Sequence, residues 1–118
     1  MNFKEIKMAE YTVQQLIRNH EKAFMPEVAE GVDAVIQYRL TGEQGGDWII
    51  TIHEGKCSVG EGLAPSPRVT LTADAQDFAD VLLGKANGMQ YFMTGKLKLA
   101  GDLNLAMKLT SFFKMSGN

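Results

Sequence analysis

The sequence predicts an α+β domain: a helix, then an antiparallel sheet, then helices folded back on one face of that sheet. Three observations predict it. Val13, Leu16, Ile17, His20 and Phe24 recur at spacings of three and four, the stripe of an amphipathic helix. Between Val32 and Thr72 the apolar period drops to two, and turn-rich segments separate the runs. After Asp74 the helical period returns.

The first helix is expected from about Met8 to Phe24, with Pro26 stopping it and Gly31 closing the segment. Val32, Ala34, Ile36, Tyr38 and Leu40 then alternate with Asp33, Gln37 and Arg39, a half-buried strand with one slip at Val35. Thr41–Gly46 reads as a turn. Trp48–His53 returns as a strand with Trp48, Ile50 and Ile52 on one face. Glu54-Gly55 is a tight hairpin turn into a third strand, Lys56–Gly60. Gly60–Pro67, with Pro65 and Pro67, is a loop. Arg68–Thr72 is a fourth strand with Val69 and Leu71 inward.

Asp74 is a good N-cap, Asp77 sits in the first turn behind it, and Phe78, Val81 and Leu82 form the buried stripe before Gly84 stops the helix. Three short pieces follow. Met89–Thr94 is a one-turn apolar segment with Met89, Phe92 and Met93 on one stripe. Gly95–Ala100 alternates apolar and basic residues like a strand. Asp102–Lys114 reads as a helix.

That last helix is apolar on two sides. Leu103, Ala106, Met107, Thr110 and Phe113 fall on one stripe, and Leu105, Leu109 and Phe112 on a second. A small domain gives a terminal helix one buried face, so the second face requires a lipid, a partner chain or further protein. Met89, Met93 and Met107 suit a wall that adapts to ligands of varied shape.

Composition bounds the rest. The 118 residues are 45% hydrophobic, enough for one domain over 1–118 with its own core. A single cysteine, Cys57, excludes an internal disulfide and a cysteine zinc cluster, and fits a reducing compartment. No apolar run reaches a membrane span, and MNFKEIKMAEY lacks a signal-peptide core, so a cytoplasmic protein is expected. The final tripeptide Ser116-Gly117-Asn118 is not a peroxisomal address. The net charge of -2 hides an asymmetry. Residues 1–84 carry seven Lys/Arg and thirteen Asp/Glu, a net of -6, and residues 85–118 carry five Lys against Asp102, a net of +4. The basic end suits an anionic lipid head or membrane surface, whereas lysines without clustering or aromatic interleaving argue against nucleic acid.

The stretch GMQYFMTGKLKLAGDLNLAMKL, residues 88–109, resembles the signature of the sterol carrier protein 2 domain, a lipid-binding family often found in bacteria as a small free-standing protein. The resemblance continues through GVDAVIQYRLTG (31–42), GDWIITIHEGKCSVGEG (46–62) and PRVTLTADAQDFADVLLGK (67–85), and covers roughly residues 10–113. It implies a five-stranded, mostly antiparallel sheet with helices over one face. It also implies a hydrophobic tunnel between them for fatty acid, acyl-CoA, phospholipid or sterol-like molecules, with no catalytic residues, cofactor or metal. Carried over by position, Trp48 and Ile50 lie on the helix-covered face, and Phe78 and Leu82 form a wall. Gln90, Phe92 and Met93 stand near the tunnel, and Leu103, Ala106 and Met107 face it from the last helix. The same stripe continues to Thr110 and Phe113. The family often has glutamine where this chain has Thr110, and glycine where it has Asn104.

Two other functions compete with a carrier. An enzyme acting on acyl or steroid substrates, or its accessory subunit, would use Asp33, His53, Glu54 or Tyr38. The sequence shows no nucleophile–base set and no Gly-x-Ser-x-Gly elbow. His53 reads as a surface side chain and Cys57 as a small buried hydrophobe. The Gly42–Gly46 run is a hairpin loop rather than a phosphate cradle, since no helix follows it. An interaction module would instead bury Leu105, Leu109 and Phe112 in a homodimer. For a carrier, the terminal helix hinged at Gly101 is expected to move as a lid.

Overall fold

The computed structural model of the chain describes residues 12–114. Its elements run α1 (Val13–Arg18), α2 (His20–Ala23), β1 (Ala34–Thr41), β2 (Gly46–His53), β3 (Lys56–Glu61), β4 (Val69–Asp74), α3 (Ala75–Leu82), α4 (Gly88–Met93), β5 (Leu97–Gly101) and α5 (Leu103–Lys108). A 3₁₀ turn, Leu109–Phe112, continues α5.

The five strands form one sheet in the order β3-β2-β1-β4-β5. The pairs β1–β2, β2–β3 and β4–β5 are antiparallel and β1–β4 is parallel. The fold is therefore α+β with a mostly antiparallel sheet, as expected. The core face carries Ala34, Ile36, Tyr38 and Leu40 from β1, Trp48, Ile50 and Ile52 from β2, and Val69, Leu71 and Ala73 from β4, all buried. Helices cover that face. In the β2–β3 turn Glu54 (φ 50°) and Gly55 (φ 76°) are both left-handed, as a two-residue hairpin of this hand requires.

Local signals set the helix starts. Thr12 and Gln15 form a reciprocal capping box at α1. Asp74 accepts from the amides of Gln76 and Asp77, Asn87 from those of Met89 and Gln90, and Asp102 from that of Leu105. Each cap satisfies N–H groups that an α-helix leaves open at its start.

Four expectations change. The single helix from Met8 becomes α1 and α2, separated by one residue, Asn19, whose carbonyl still accepts from the Ala23 amide at 2.9 Å. The Met8–Tyr11 portion lies outside the described residues, as does the Ser116–Asn118 tripeptide. Gln37, read as an outward polar residue, is buried on the sheet's second face. The parallel β1–β4 pair needs a crossover chain, and that chain passes over Gln37. The Gln37 amide donates to the Trp48 and Gly62 carbonyls and its oxygen accepts from the Ala64 amide at 2.7 Å.

The terminal helix is the third change: only Leu103–Lys108 is α-helical. Last, Leu105, Leu109 and Phe112, the stripe left for a partner, are buried in the core of this chain. They fill the space between α5 and the sheet, so they are not available to a homodimer. Phe113 bridges to Phe24, the Met25 amide donates to the Phe112 carbonyl, and the Lys114 amide donates to the Ala23 carbonyl.

Candidate functional site

An open cavity of about 410 Å³ lies between the sheet and the later helices. Its floor is a row of cross-strand neighbours. Tyr38 of β1 pairs with Leu71 of β4, and Leu71 with Leu99 of β5, while Leu97 stands one pleat along. One wall is α3, which presents Phe78, Val81 and Leu82. The turn of Gly84, Ala86, Asn87 and Gly88 leads into α4, which adds Met89 and Phe92. The opposite wall is α5 and its 3₁₀ extension, with Ala106, Met107, Leu109, Thr110 and Phe113.

Few polar side chains reach this space, and two of the three are already engaged. Tyr38 is buried, and its hydroxyl lies 2.9 Å from His20 Nε2. The other ring nitrogen, Nδ1, faces the Leu16 carbonyl at 3.0 Å. A carbonyl only accepts, so Nδ1 carries the hydrogen and the Tyr38 hydroxyl donates to Nε2. Burial pushes the Tyr38 hydroxyl well above the usual phenol range and holds the His20 pKa at about 4, the Leu16 bond partly opposing the latter. The Asn87 oxygen is used by the α4 amides. Thr110 is exposed at the margin. The lining is otherwise apolar, apart from the backbone of the Gly84–Gly88 turn.

Seven of the twelve positions read as lipid-binding line the cavity: Phe78, Leu82, Phe92, Ala106, Met107, Thr110 and Phe113. Five do not. Trp48 and Ile50 lie on the helix-covered face but on β2, where α1 covers the sheet and the Arg18 guanidinium sits 5.1 Å from the Trp48 ring centre. Gln90 and Met93 point away from the cavity on the outer side of α4, and Leu103 stands exposed on α5. Sequence reasoning missed Tyr38 as a wall, along with Leu71, Leu97, Leu99, Leu109 and the Gly84–Gly88 turn. The alternation of Leu97 and Leu99 was a usable signal. The three-strand row needed the β1–β4 parallel register, which no local pattern reveals.

Of the four enzyme candidates only Tyr38 lines the cavity. Asp33, His53 and Glu54 lie together but exposed at the hairpin end, with His53 Nδ1 3.2 Å from Asp33 Oδ1 and Nε2 3.7 Å from Glu54 Oε2. None of the three lines the cavity. Cys57 is half-buried on β3, and burial pushes its thiol up to about 12, far from a thiolate nucleophile. No helix among the described residues is long and apolar enough to cross a membrane.

Known proteins share this arrangement. Residues 13–114 match the model of the SCP-2 sterol transfer family. Hydroxysteroid dehydrogenase-like protein 2 of Xenopus tropicalis is 34% identical over 99 residues, which is 82% of this chain and 24% of that protein. The chain thus spans about a quarter of the length of that curated relative. Among solved structures, sterol carrier protein domain 2 of Helicoverpa armigera aligns with a TM-score of 0.70 at 29% identity, over 100% of this chain and 94% of that one. The palmitated SCP2L2 of Aedes aegypti aligns with a TM-score of 0.68 at 28% identity, over 85% of this chain and 89% of that one.

Proposed function

This chain belongs to the SCP-2 sterol transfer family, and on that premise we propose that it binds a single-chain lipid without catalysing a reaction on it. The apolar cavity between sheet and helices carries this reading. A methylene takes up roughly the ~30 Å³ share of a water molecule in the liquid. A cavity of about 410 Å³ therefore takes about fourteen methylenes, one acyl chain rather than two. At about 0.8 kcal/mol each, their burial stabilises the complex by roughly 11 kcal/mol before ordering costs are subtracted. A fatty acid, or an acyl-CoA with its nucleotide outside, fits that space better than a whole phospholipid. The palmitated Aedes aegypti neighbour supports the same choice.

The name of the Xenopus tropicalis relative favours a second reading, in which the domain presents a lipid to an enzyme that acts on it. Both readings need the cavity. Titration with a fluorescent fatty acid should saturate at one per chain. Ala106→Phe, which puts a ring into the wall, should lower the affinity at least tenfold while the unfolding midpoint stays near wild type. No saturable binding, or equal affinity in a folded Ala106→Phe chain, refutes the cavity as the site. Turnover of an acyl-CoA by the isolated chain refutes the non-enzymatic reading.

A further inference from the structure

The large apolar side chains left exposed are unevenly placed. Seven stand exposed among the described residues, and five of them, Met89, Phe92, Met93, Leu103 and Met107, belong to α4 and α5. Met93 is 77% exposed, Met107 55% and Leu103 48%, values at which these side chains contribute little to the core. They stand at the cavity or one helical turn from a residue that does. Met89, Phe92 and Met107 meet at the cavity, Met93 is one turn from Met89, and Leu103 is one turn from Met107. Helix α4 carries no fully buried residue and packs on the core in part through Tyr91, which leaves the exposed Met89, Phe92 and Met93 without a packing explanation.

Three lysines stand around these side chains, beside an α3 wall that carries Asp77 and Asp80, the Asp80 carbonyl accepting from the Lys85 amide. Lys85 lies between the cavity-lining Gly84 and Ala86. Lys96 holds its ammonium 4.9 Å from the ring centre of Tyr91 on α4, and Lys108 follows Met107 on α5. Lys98 alternates with Leu97 and Leu99 and so projects from the sheet's other face. The one acid of this half, Asp102, is occupied as the α5 cap, with its second oxygen 3.7 Å from Arg68.

We propose that this rim docks on an anionic lipid bilayer, with Met93, Leu103 and Met107 entering the interface and Lys85, Lys96 and Lys108 facing its head groups. The surface suits a bilayer better than a second copy of the chain. Two-fold pairing through this rim would gather six lysines in one interface. A bilayer supplies both the apolar layer and the opposite charge. Docking here also turns the cavity mouth toward the lipid phase, so cargo need not cross water. This consequence rests on the lipid-binding reading, whereas the docking itself does not.

Flotation of the full chain with vesicles tests it, with no cargo added. Vesicles of phosphatidylcholine with 30% phosphatidylglycerol should carry the protein, and vesicles of phosphatidylcholine alone should not. Each lysine near such a surface is worth about fivefold in affinity, so Lys85→Gln, Lys96→Gln and Lys108→Gln together should cost roughly a hundredfold. Met93→Gln with Leu103→Gln should cost at least about tenfold, because neither side chain lines the cavity or supports the core. That double variant should keep the wild-type unfolding midpoint and bind fluorescent fatty acid in solution as the wild type does. Equal flotation by the double variant, or by the lysine variant, overturns the proposal. So does a wild-type dimer in light scattering that Met93→Gln dissociates. Loss of fatty-acid binding in the wild type overturns the cavity reading and leaves the flotation result to stand by itself.

Discussion

Acid should weaken this fold through His20. The ring is fully buried between Tyr38 and Phe113, the latter with its ring centre 4.5 Å away. Burial lowers its pKa from 6.5 to about 4, and the Leu16 carbonyl offsets part of that. The folded value lies below the unfolded one, so the unfolded chain takes up the proton first. The neutral ring's contribution is therefore complete above pH 6.5 and is lost as pH falls from there through about 4. With those two values, the loss between pH 7.5 and pH 5 is about 2 kcal/mol, and it levels off near roughly 3 kcal/mol below pH 4.

His53 works in the opposite sense. The hydrogen bond to Asp33, then the charges of Asp33 and Glu54, raise its pKa, so its contribution is present below 6.5 and fades as pH rises through the folded value. A His53→Gln background removes it. Guanidinium unfolding of that chain at pH 7.5 and pH 5, with and without His20→Gln, isolates the buried ring, since glutamine does not titrate. The chain that keeps His20 should lose about 2 kcal/mol more than the double variant over that interval. Parallel losses in the two chains would show that His20 is solvated or already charged in the fold, and the reasoning would fail.

Gly101 has φ 107°, and a Cβ there would meet the Arg68 carbonyl oxygen. Gly101→Ala should therefore lower stability by more than about 1 kcal/mol, read as a shift in the denaturant midpoint with unchanged slope; a neutral effect would mean that β5 tolerates a different backbone path. Amide hydrogens of α4 should exchange with solvent well before those of Leu105 and Leu109, because α4 has no fully buried side chain and α5 is held by the core. Equal protection in mass-resolved exchange would remove α4 as the movable element beside the cavity.

The lid expected at the terminal helix is accordingly misplaced. A helix that puts Leu105, Leu109 and Phe112 into the core cannot leave without unfolding the chain, so truncating it tests stability rather than gating. Its two apolar stripes were legible, but which one faces inward was not. Both stripes have the right spacing, and only the position of α5 against β4 and β5 decides between them. The caps Asp74 and Asp102, the Glu54-Gly55 turn and the alternation of β2 and β4 were legible because each depends on neighbours in sequence. Gln37 was misread because its partners, Gly62 and Ala64, are 25 and 27 residues away. Trp48 was assigned to the site because the family resemblance puts it on the helix-covered face of the sheet. A face gives no information on which strands stand beneath which helix.

That arrangement separates two tasks on one sheet. Helix α2 packs on β3 and Arg18 of α1 lies over Trp48 of β2, while the pleats of β1, β4 and β5 that carry Tyr38, Leu71 and Leu99 floor the cavity. On the proposed lipid-binding reading, substitutions at Leu71, Leu97 or Leu99 would reshape what is carried while Ile50, Ile52 and Trp48 keep the scaffold intact. Two homologues alike in overall identity can then differ in cargo through a few floor positions, and those positions are the place to compare them.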